Sequence, residues 1–353
     1  MIEIVTAKVE KVTYREEYVT RFSIKKDGRL YNCINYNQLT GAIEENDTVL
    51  LNTTAVELGL GSGGYHFVMA NISRNRYSNI GEGHIMKLRY TPMQMNCMAA
   101  EAQESSYHEV FNSFESLEAM PVIIGTLHSM VAPIALTLKY LADKERIVYI
   151  MTDGGALPIW MSEAVKRLRK DGIVTGTVTY GNAFGGDVEC INVYTALIAA
   201  KEILKADAVI ICMGPGIAGT DTKYGFSGIE QSQIIDAANN LKGKAIAVPR
   251  ISFADNRSRH YGLSHHSRMT LGKLCCTKAY IALPELESPK GELINAQLRD
   301  SGILSRHEVS FWNSKQIDML LEKEEDRLER MGKSFSQDKE YFITCGLSAF
   351  FAT

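Results

Sequence analysis

The sequence predicts an α/β protein, a doubly wound (Rossmann-like), mostly parallel sheet preceded by a small all-β barrel or sandwich. Three observations predict it. The chain has 353 residues, about two domains at roughly 100–200 residues each. Its first ~90 residues alternate polar and apolar positions in short segments with no helical stretch, which suits a small barrel or sandwich. From Pro121 onward, continuous apolar runs alternate with helical stretches of roughly 10–16 residues, the pattern of a parallel sheet buried on both faces. The expected domains are residues 1–95 and 96–353.

In the amino-terminal part, EYVTRFSIK places Tyr18, Thr20, Phe22 and Ile24 on one face, and RLYNCINY does the same with Leu30, Asn32, Ile34 and Tyr36. Asp27-Gly28 between them suits a two-residue turn with φ > 0. DTVLLN and YHFVMANI supply two more strands, with GLGSGG between them. Residues 73–95 are polar and read as a connector. Beyond it, six apolar strands are expected: PVIIGTLHS, IVYIMTDG, IVTGTVTY, AVIICMGP, KAIAVPRIS and KAYIALPEL. Helices follow the first five, with Pro133 in an early turn of the first helix, where proline is tolerated. One of them is expected to run continuously over VECINVYTALIAAKEILKAD. KQIDMLLEKEEDRLERMG is an amphipathic helix with Ile317, Leu320, Leu321 and Leu328 on one side, and the apolar end EYFITCGLSAFFAT must dock.

Composition narrows the function. Lys and Arg number 38 against 41 Asp and Glu, a net charge of -3. That balance argues against a nucleic-acid binder and against a polybasic membrane-surface protein. No apolar run approaches ~18 residues, so no membrane span is expected. The start, MIEIVTAKVEK, lacks the apolar stretch of a secretory signal. Seven cysteines without C-x-x-C spacing fit reduced thiols in the cytoplasm rather than a disulfide or zinc framework.

In an open parallel sheet, ligands bind beyond the carboxyl ends of the strands. Five successive strand ends here are rich in Gly, Asp, His and Thr: GTLHS, TDGGALP, GNAFGGD, GPGIAGTDT and FADNRSRHYGLSHHS. Aspartates recur every 34 residues at Asp153, Asp187, Asp221 and Asp255, on four of these loops. GPGIAG contains Gly214, Gly216 and Gly219, but the helix after it begins only near Ser227 and the next strand ends in Pro249-Arg250. Both features argue against an NAD or FAD fingerprint. Ser227 and Glu230 form an S-x-x-E capping box. With Thr220 and the glycines, that helix end is a candidate anion site. Arg257, Arg259 and His266 are candidates to hold the anion. His128, His260 and His265 are candidate proton-transfer groups, with Asp153, Asp187 or Asp255 orienting a hydroxyl or a histidine. His260, His265 and Asp255 could instead bind a divalent metal, although H-x4-H-H fits no established zinc spacing. No G-x-S-x-G elbow or P-loop occurs.

Taken together, GTLHS-MVAPIA, TDGGALP, GNAFGGD, GPGIAGT, GFSG and FADNRSRH-GLSHH resemble a bacterial family defined only as a domain of unknown function. The likeness extends over most of the chain, including NDTVLLNTTAVELGLGSGGYHF. It implies a bacterial, cytoplasmic, free-standing protein, and it supplies no activity, substrate or catalytic residue. The residues point to an enzyme, a hydrolase or group transferase, acting on a small anionic, phosphorylated or nucleotide-like metabolite. The competing expectation is a metabolite sensor or scaffold whose β domain binds a protein partner. Under the enzyme reading that domain covers the cleft, through His66 in GSGGYHF. A homodimer is the default oligomer.

Overall fold

Five strands close the amino-terminal unit into a barrel in the computed structural model, which describes residues 1–353 as two units, Met1–Cys97 and Met98–Thr353. They are β1 (Ile4–Arg15), β2 (Val19–Lys26), β3 (Arg29–Tyr36), β4 (Thr48–Asn52) and β5 (Tyr65–Asn71), in the order β1-β2-β3-β5-β4. β1 is long enough to pair with β2 at one end and β4 at the other, bending through register shifts at Val9/Lys11 and Val12/Tyr14. Alternation sends Val9, Phe22, Ile24, Cys33, Val49 and Leu51 inward. The β2–β3 turn has Asp27 at φ 50° and Gly28 at φ 76°, as the primed hairpin turns require. Closure leaves no open sheet edge. A short hairpin, Ile85–Lys87 with Met95–Cys97, forms in the expected polar connector and runs two residues past its end.

The second unit is built on eight parallel strands. They are β6 (Pro121–Ile124), β7 (Ile147–Thr152), β8 (Gly176–Tyr180), β9 (Val188–Cys190), β10 (Ala208–Met213), β11 (Lys244–Ala247), β12 (Tyr280–Pro284) and β13 (Glu308–Trp312). Their order is β9-β8-β7-β10-β6-β11-β12-β13. The helices that concern the site are α1 (Val131–Tyr140), α2 (Glu163–Lys170), α3 (Val193–Glu202), α4 (Glu230–Asn240), α5 (His265–Met269), α6 (Lys290–Ser301), α7 (Lys315–Lys323) and α8 (Lys339–Leu347). Successive strand residues point to opposite faces. Ile123, Tyr149 and Ile210 pack with α1, α2 and α8. Val122, Ile124, Val148, Ile150, Val209 and Ile211 pack with α3, α4 and α6. Both faces are therefore apolar and covered, which is why these strands read as continuous hydrophobic runs.

Two strands exceed the six expected. β9 occupies residues assigned in the sequence to the start of a helix. Asn192 ends that strand's run and caps α3 through Tyr194 and Thr195, in a capping box with Thr195, so the helix begins at Val193. β13 lies in the tail and pairs with β12. The predicted helix after Lys315 stops at Lys323, with Ile317 and Leu321 buried. α8 docks fully, burying Tyr341, Phe342, Cys345 and Leu347 beside α1. No helix is long and apolar enough to cross a membrane.

The winding fixes where a ligand can enter. The chain leaves β6 and β7 towards α1 and α2 on one face, and leaves β10 towards α4 on the other. β10 lies between β7 and β6. Adjacent strand ends thus diverge to opposite faces, opening a crevice at the carboxyl edge.

Candidate functional site

The crevice between β7 and β10 carries two carboxyl groups. Thr152, the last residue of β7, donates its hydroxyl to Glu230 Oε1 at 2.6 Å. Glu230 opens α4, so its side chain is delivered to the rim by the first helical turn after the β10 loop. Burial pushes the Glu230 carboxyl up to about 7; the Thr152 hydrogen bond opposes the shift and the negative charge of Asp153 adds to it. Asp153 follows Thr152 directly. Its Oδ2 accepts from Asn182 Nδ2 at 3.3 Å, and its Oδ1 is buried with no hydrogen-bond partner. Gly181 permits this placement. It sits at φ +66°, and a Cβ there would come within 2.5 Å of Asp153 Oδ2. Tyr180 at the end of β8 faces the same charges, and burial together with Glu230 and Asp153 pushes its hydroxyl up. A carboxyl poised near neutrality can give or take a proton, and a carboxylate oxygen with no partner can accept one from a hydroxyl or water.

A second, electropositive cluster lies beyond β11. There the chain forms a short hairpin, Ile251–Ser252 with Gly262–Leu263, enclosing residues 253–261. Asp255 is the hub. It accepts from Arg250 Nη2 at 2.6 Å and from Arg257 Nε and Nη2 at 2.9 and 2.8 Å. Arg330 approaches it to 3.6 Å, pairs with Asp338, and stacks over Tyr341 at 4.5 Å. The hydrogen bonds from Arg257 hold the Asp255 carboxyl far below the usual carboxylate range, with Arg250 assisting. Burial and the like charge of Arg330 lower Arg250 to about 10. The Nε atoms of Arg250 and Arg330 are buried without partners.

Three histidines complete this cluster. Ser264 caps α5 by accepting from His266 N–H, and its Oγ is 2.7 Å from His260 Nδ1. The ring centroids of His260, His265 and His266 stand 4.3–5.2 Å apart. Phe226, from the β10–α4 loop, stacks on His266 at 4.0 Å. Burial, followed by nearby arginines, holds His260 at about 3; His266 is also at about 3, through burial, then His265 and the arginines. Burial and Arg259 likewise lower His265. The rings are therefore neutral at pH 7, and positive charge here belongs to arginine. One segment of chain links the two clusters: Phe226 stacks on His266, and Glu230 follows it after the single 3₁₀ turn Ser227–Ile229.

Sequence reasoning placed Asp153, Asp255, Arg257, Arg259, His260, His265 and His266 at the rim, and the structure gathers them into these two clusters. Arg257 and Arg259 already have partners, Asp255 and Asp221. The 34-residue period of aspartates hides four separate roles. Asp187 is not at the rim. It accepts from Thr177 N–H at 2.8 Å and pairs with Arg169. Residues 181–187 return to the start of the parallel strand β9, which carries Asp187 back from the carboxyl edge. His128 is packed, with Nε2 2.6 Å from Ser162 Oγ and Nδ1 3.3 Å from the Tyr149 hydroxyl, and burial lowers it to about 4.

The glycine loop folds on itself. Gly219 bridges Phe226, Thr220 N–H donates to Gly225 O, and the Thr220 hydroxyl donates to the same carbonyl. Gly216 is exposed at φ +101°, and Gly214 packs against Met151 and Leu157. Ser227 accepts from Ala218 N–H, and the S-x-x-E box does not form because Glu230 turns to Thr152. His66 is fully buried, on the same face of β5 as the barrel-core residue Val68. The residues missed were Glu230 in a chemical role, Arg250, Arg330 and Asp338. The one available signal was that Glu230 lies in the first helical turn after the long polar loop that follows β10.

A family model described as a protein of unknown function (DUF3866) matches residues 32–349 of the chain. No curated protein matches it.

Proposed function

The chain belongs to this family of unknown function, and we propose that it is an enzyme, a hydrolase or group transferase, acting on a small anionic metabolite at the carboxyl edge of its sheet. The observation that carries the reading is the Asp153–Glu230 pair, two carboxyl groups in one crevice with one of them held at about 7. A carboxyl group raised towards neutrality can give or take a proton at pH 7. In this reading Asp153 takes the proton of an attacking hydroxyl or water as the new bond to oxygen forms. Glu230 gives its proton to the leaving oxygen as the old bond breaks. The arginines around Asp255 favour an anionic group at the far end of the same metabolite, as a phosphorylated or nucleotide-like molecule would supply.

The test is turnover. Nucleotides and sugar phosphates are assayed for product release with the parent, Glu230→Gln and Asp153→Asn. Each variant is expected to stay folded and to lose about 10²–10⁴-fold in rate. Equal turnover by both variants and the parent overturns the proposal. A second reading is a metabolite sensor whose barrel docks on a protein. It draws on Leu58 and Leu60, exposed at 66% and 62%. It predicts a bound metabolite that is never turned over, and a co-purifying protein lost in Leu58→Ser/Leu60→Ser.

A further inference from the structure

We propose that His260, His265 and His266 form a binding site for a divalent transition-metal ion, with one coordination position left open. One nitrogen from each ring lies within 4.8 Å of the others. Tetrahedral zinc with Zn–N of about 2.0–2.1 Å needs nitrogens about 3.3 Å apart, so each ring must turn inward by about 1 Å. The Nδ1 atoms of His265 and His266 are buried and have no hydrogen-bond partner, and His266 is only 9% exposed. A protein rarely leaves such atoms unpaired without a ligand or water to take them. His260 has its Nδ1 occupied by Ser264 Oγ, which leaves Nε2 to coordinate and fixes the ring by the kind of outer contact that metal-bound histidines use. The chain holds the three rings in place. Ser264 fixes the start of α5, which carries His265 and His266, and Phe226 stacks on His266.

One contact must open. Arg259 Nε donates to His260 Nε2 at 3.3 Å, a long bond from a side chain 35% exposed whose partner Asp221 is 68% exposed. Arg259 can therefore swing to solvent. Three neutral imidazoles suit zinc, cobalt, nickel or copper rather than magnesium or calcium. They leave a fourth position for a water or an anionic oxygen, which the surrounding arginines favour. This site uses none of the acid–base residues above and stands or falls separately from them.

The test uses the full chain freed of metal with a chelator and titrated with Co²⁺ alone, then Zn²⁺ in competition. The expected result is one Co²⁺ per chain with the visible absorption of a four- or five-coordinate ion. Binding should weaken at least tenfold in His265→Ala and in His266→Ala, and should be unchanged in His128→Ala. His265 is the more exposed of the pair, so His265→Ala keeps the test valid if His266→Ala fails to fold. The inference is overturned if the folded parent binds neither ion, or if His265→Ala binds as the parent does. It is also overturned if inorganic phosphate stabilises the metal-free chain while metal does not, which makes the pocket an anion site.

Discussion

Replacing Glu230 by glutamine should stabilise the protein, and only at neutral and alkaline pH. The carboxyl is raised from 4.5 to about 7, chiefly by burial. In the unfolded chain it ionises above about 4.5; in the folded chain it holds its proton until about 7. The unfolded state binds fewer protons across this window, so stability falls as pH rises from about 4.5 to 7, and the whole penalty is present above 7. At about 1.4 kcal/mol per pH unit the penalty reaches about 3 kcal/mol. Glu230 keeps some contact with solvent, so that figure is an upper bound. Glutamine retains an acceptor for the Thr152 hydroxyl and carries no ionisable proton. Near pH 5 most of the penalty is absent and the two proteins should unfold within about 2–4 °C of each other. At pH 8 Glu230→Gln should melt higher by up to roughly 6–12 °C. Thermal unfolding of both proteins between pH 5 and 8.5 reads this out. Parallel profiles, or a variant less stable at pH 8, would mean that Glu230 carries no buried-charge penalty. Such a stability cost is what the proposed proton-transfer role of Glu230 would entail.

Three further outcomes follow from the same contacts. Asp255→Ala leaves Arg250 and Arg330 buried without their shared carboxylate, so urea unfolding at pH 7 should show a loss of about 3–5 kcal/mol; because the Asp255 carboxyl is depressed, its contribution is present above about pH 4 and the difference should shrink as pH falls below that. Gly181→Ala forces a Cβ onto Asp153 at a left-handed backbone position and should cost about 1–3 kcal/mol, with turnover falling further than stability because Asp153 is displaced. Thiol labelling of the native chain should modify one cysteine, Cys276, since the other six are buried and burial lifts Cys33, Cys212 and Cys275 to about 12; fast labelling of a second thiol contradicts the packing.

The α/β class was legible because both faces of the sheet are covered, which makes strands such as AVIICM uniformly apolar. The barrel was legible through alternation and the Asp27-Gly28 turn. β9 was not, because three residues are too few to show a period and an adjacent helix pattern absorbs them. At the rim, His260, His265, His266, Asp255 and Arg257 stood out because their loop is dense in polar residues. Arg330 and Asp338 could not stand out. They sit in a charged tail, where such residues usually face water, and only the folded chain brings them to Asp255. Glu230 was visible and misread: a glutamate three residues after a serine suits a helix cap, and only the placement of Thr152 across the crevice shows where its side chain turns. Asp187 failed for the opposite reason. It lies on a strand-end loop in sequence, but that loop is short enough to return it to the other edge of the sheet.

In the proposed function one small anion spans the carboxyl edge from the Asp153–Glu230 crevice to the arginine–histidine pocket. Thermal unfolding of the parent, Asp153→Asn and Arg259→Ala against nucleotides, sugar phosphates, carboxylates and inorganic phosphate tests it most directly. A ligand at 100 times its Kd stabilises by about 2.7 kcal/mol, enough to raise Tm by several degrees. At least one phosphorylated compound should raise the Tm of the parent, and both substitutions should diminish the rise. If no anion shifts the folded parent, or if the shift is the same in all three proteins, the ligand does not bind across the Asp153–Glu230 crevice and the arginine–histidine pocket.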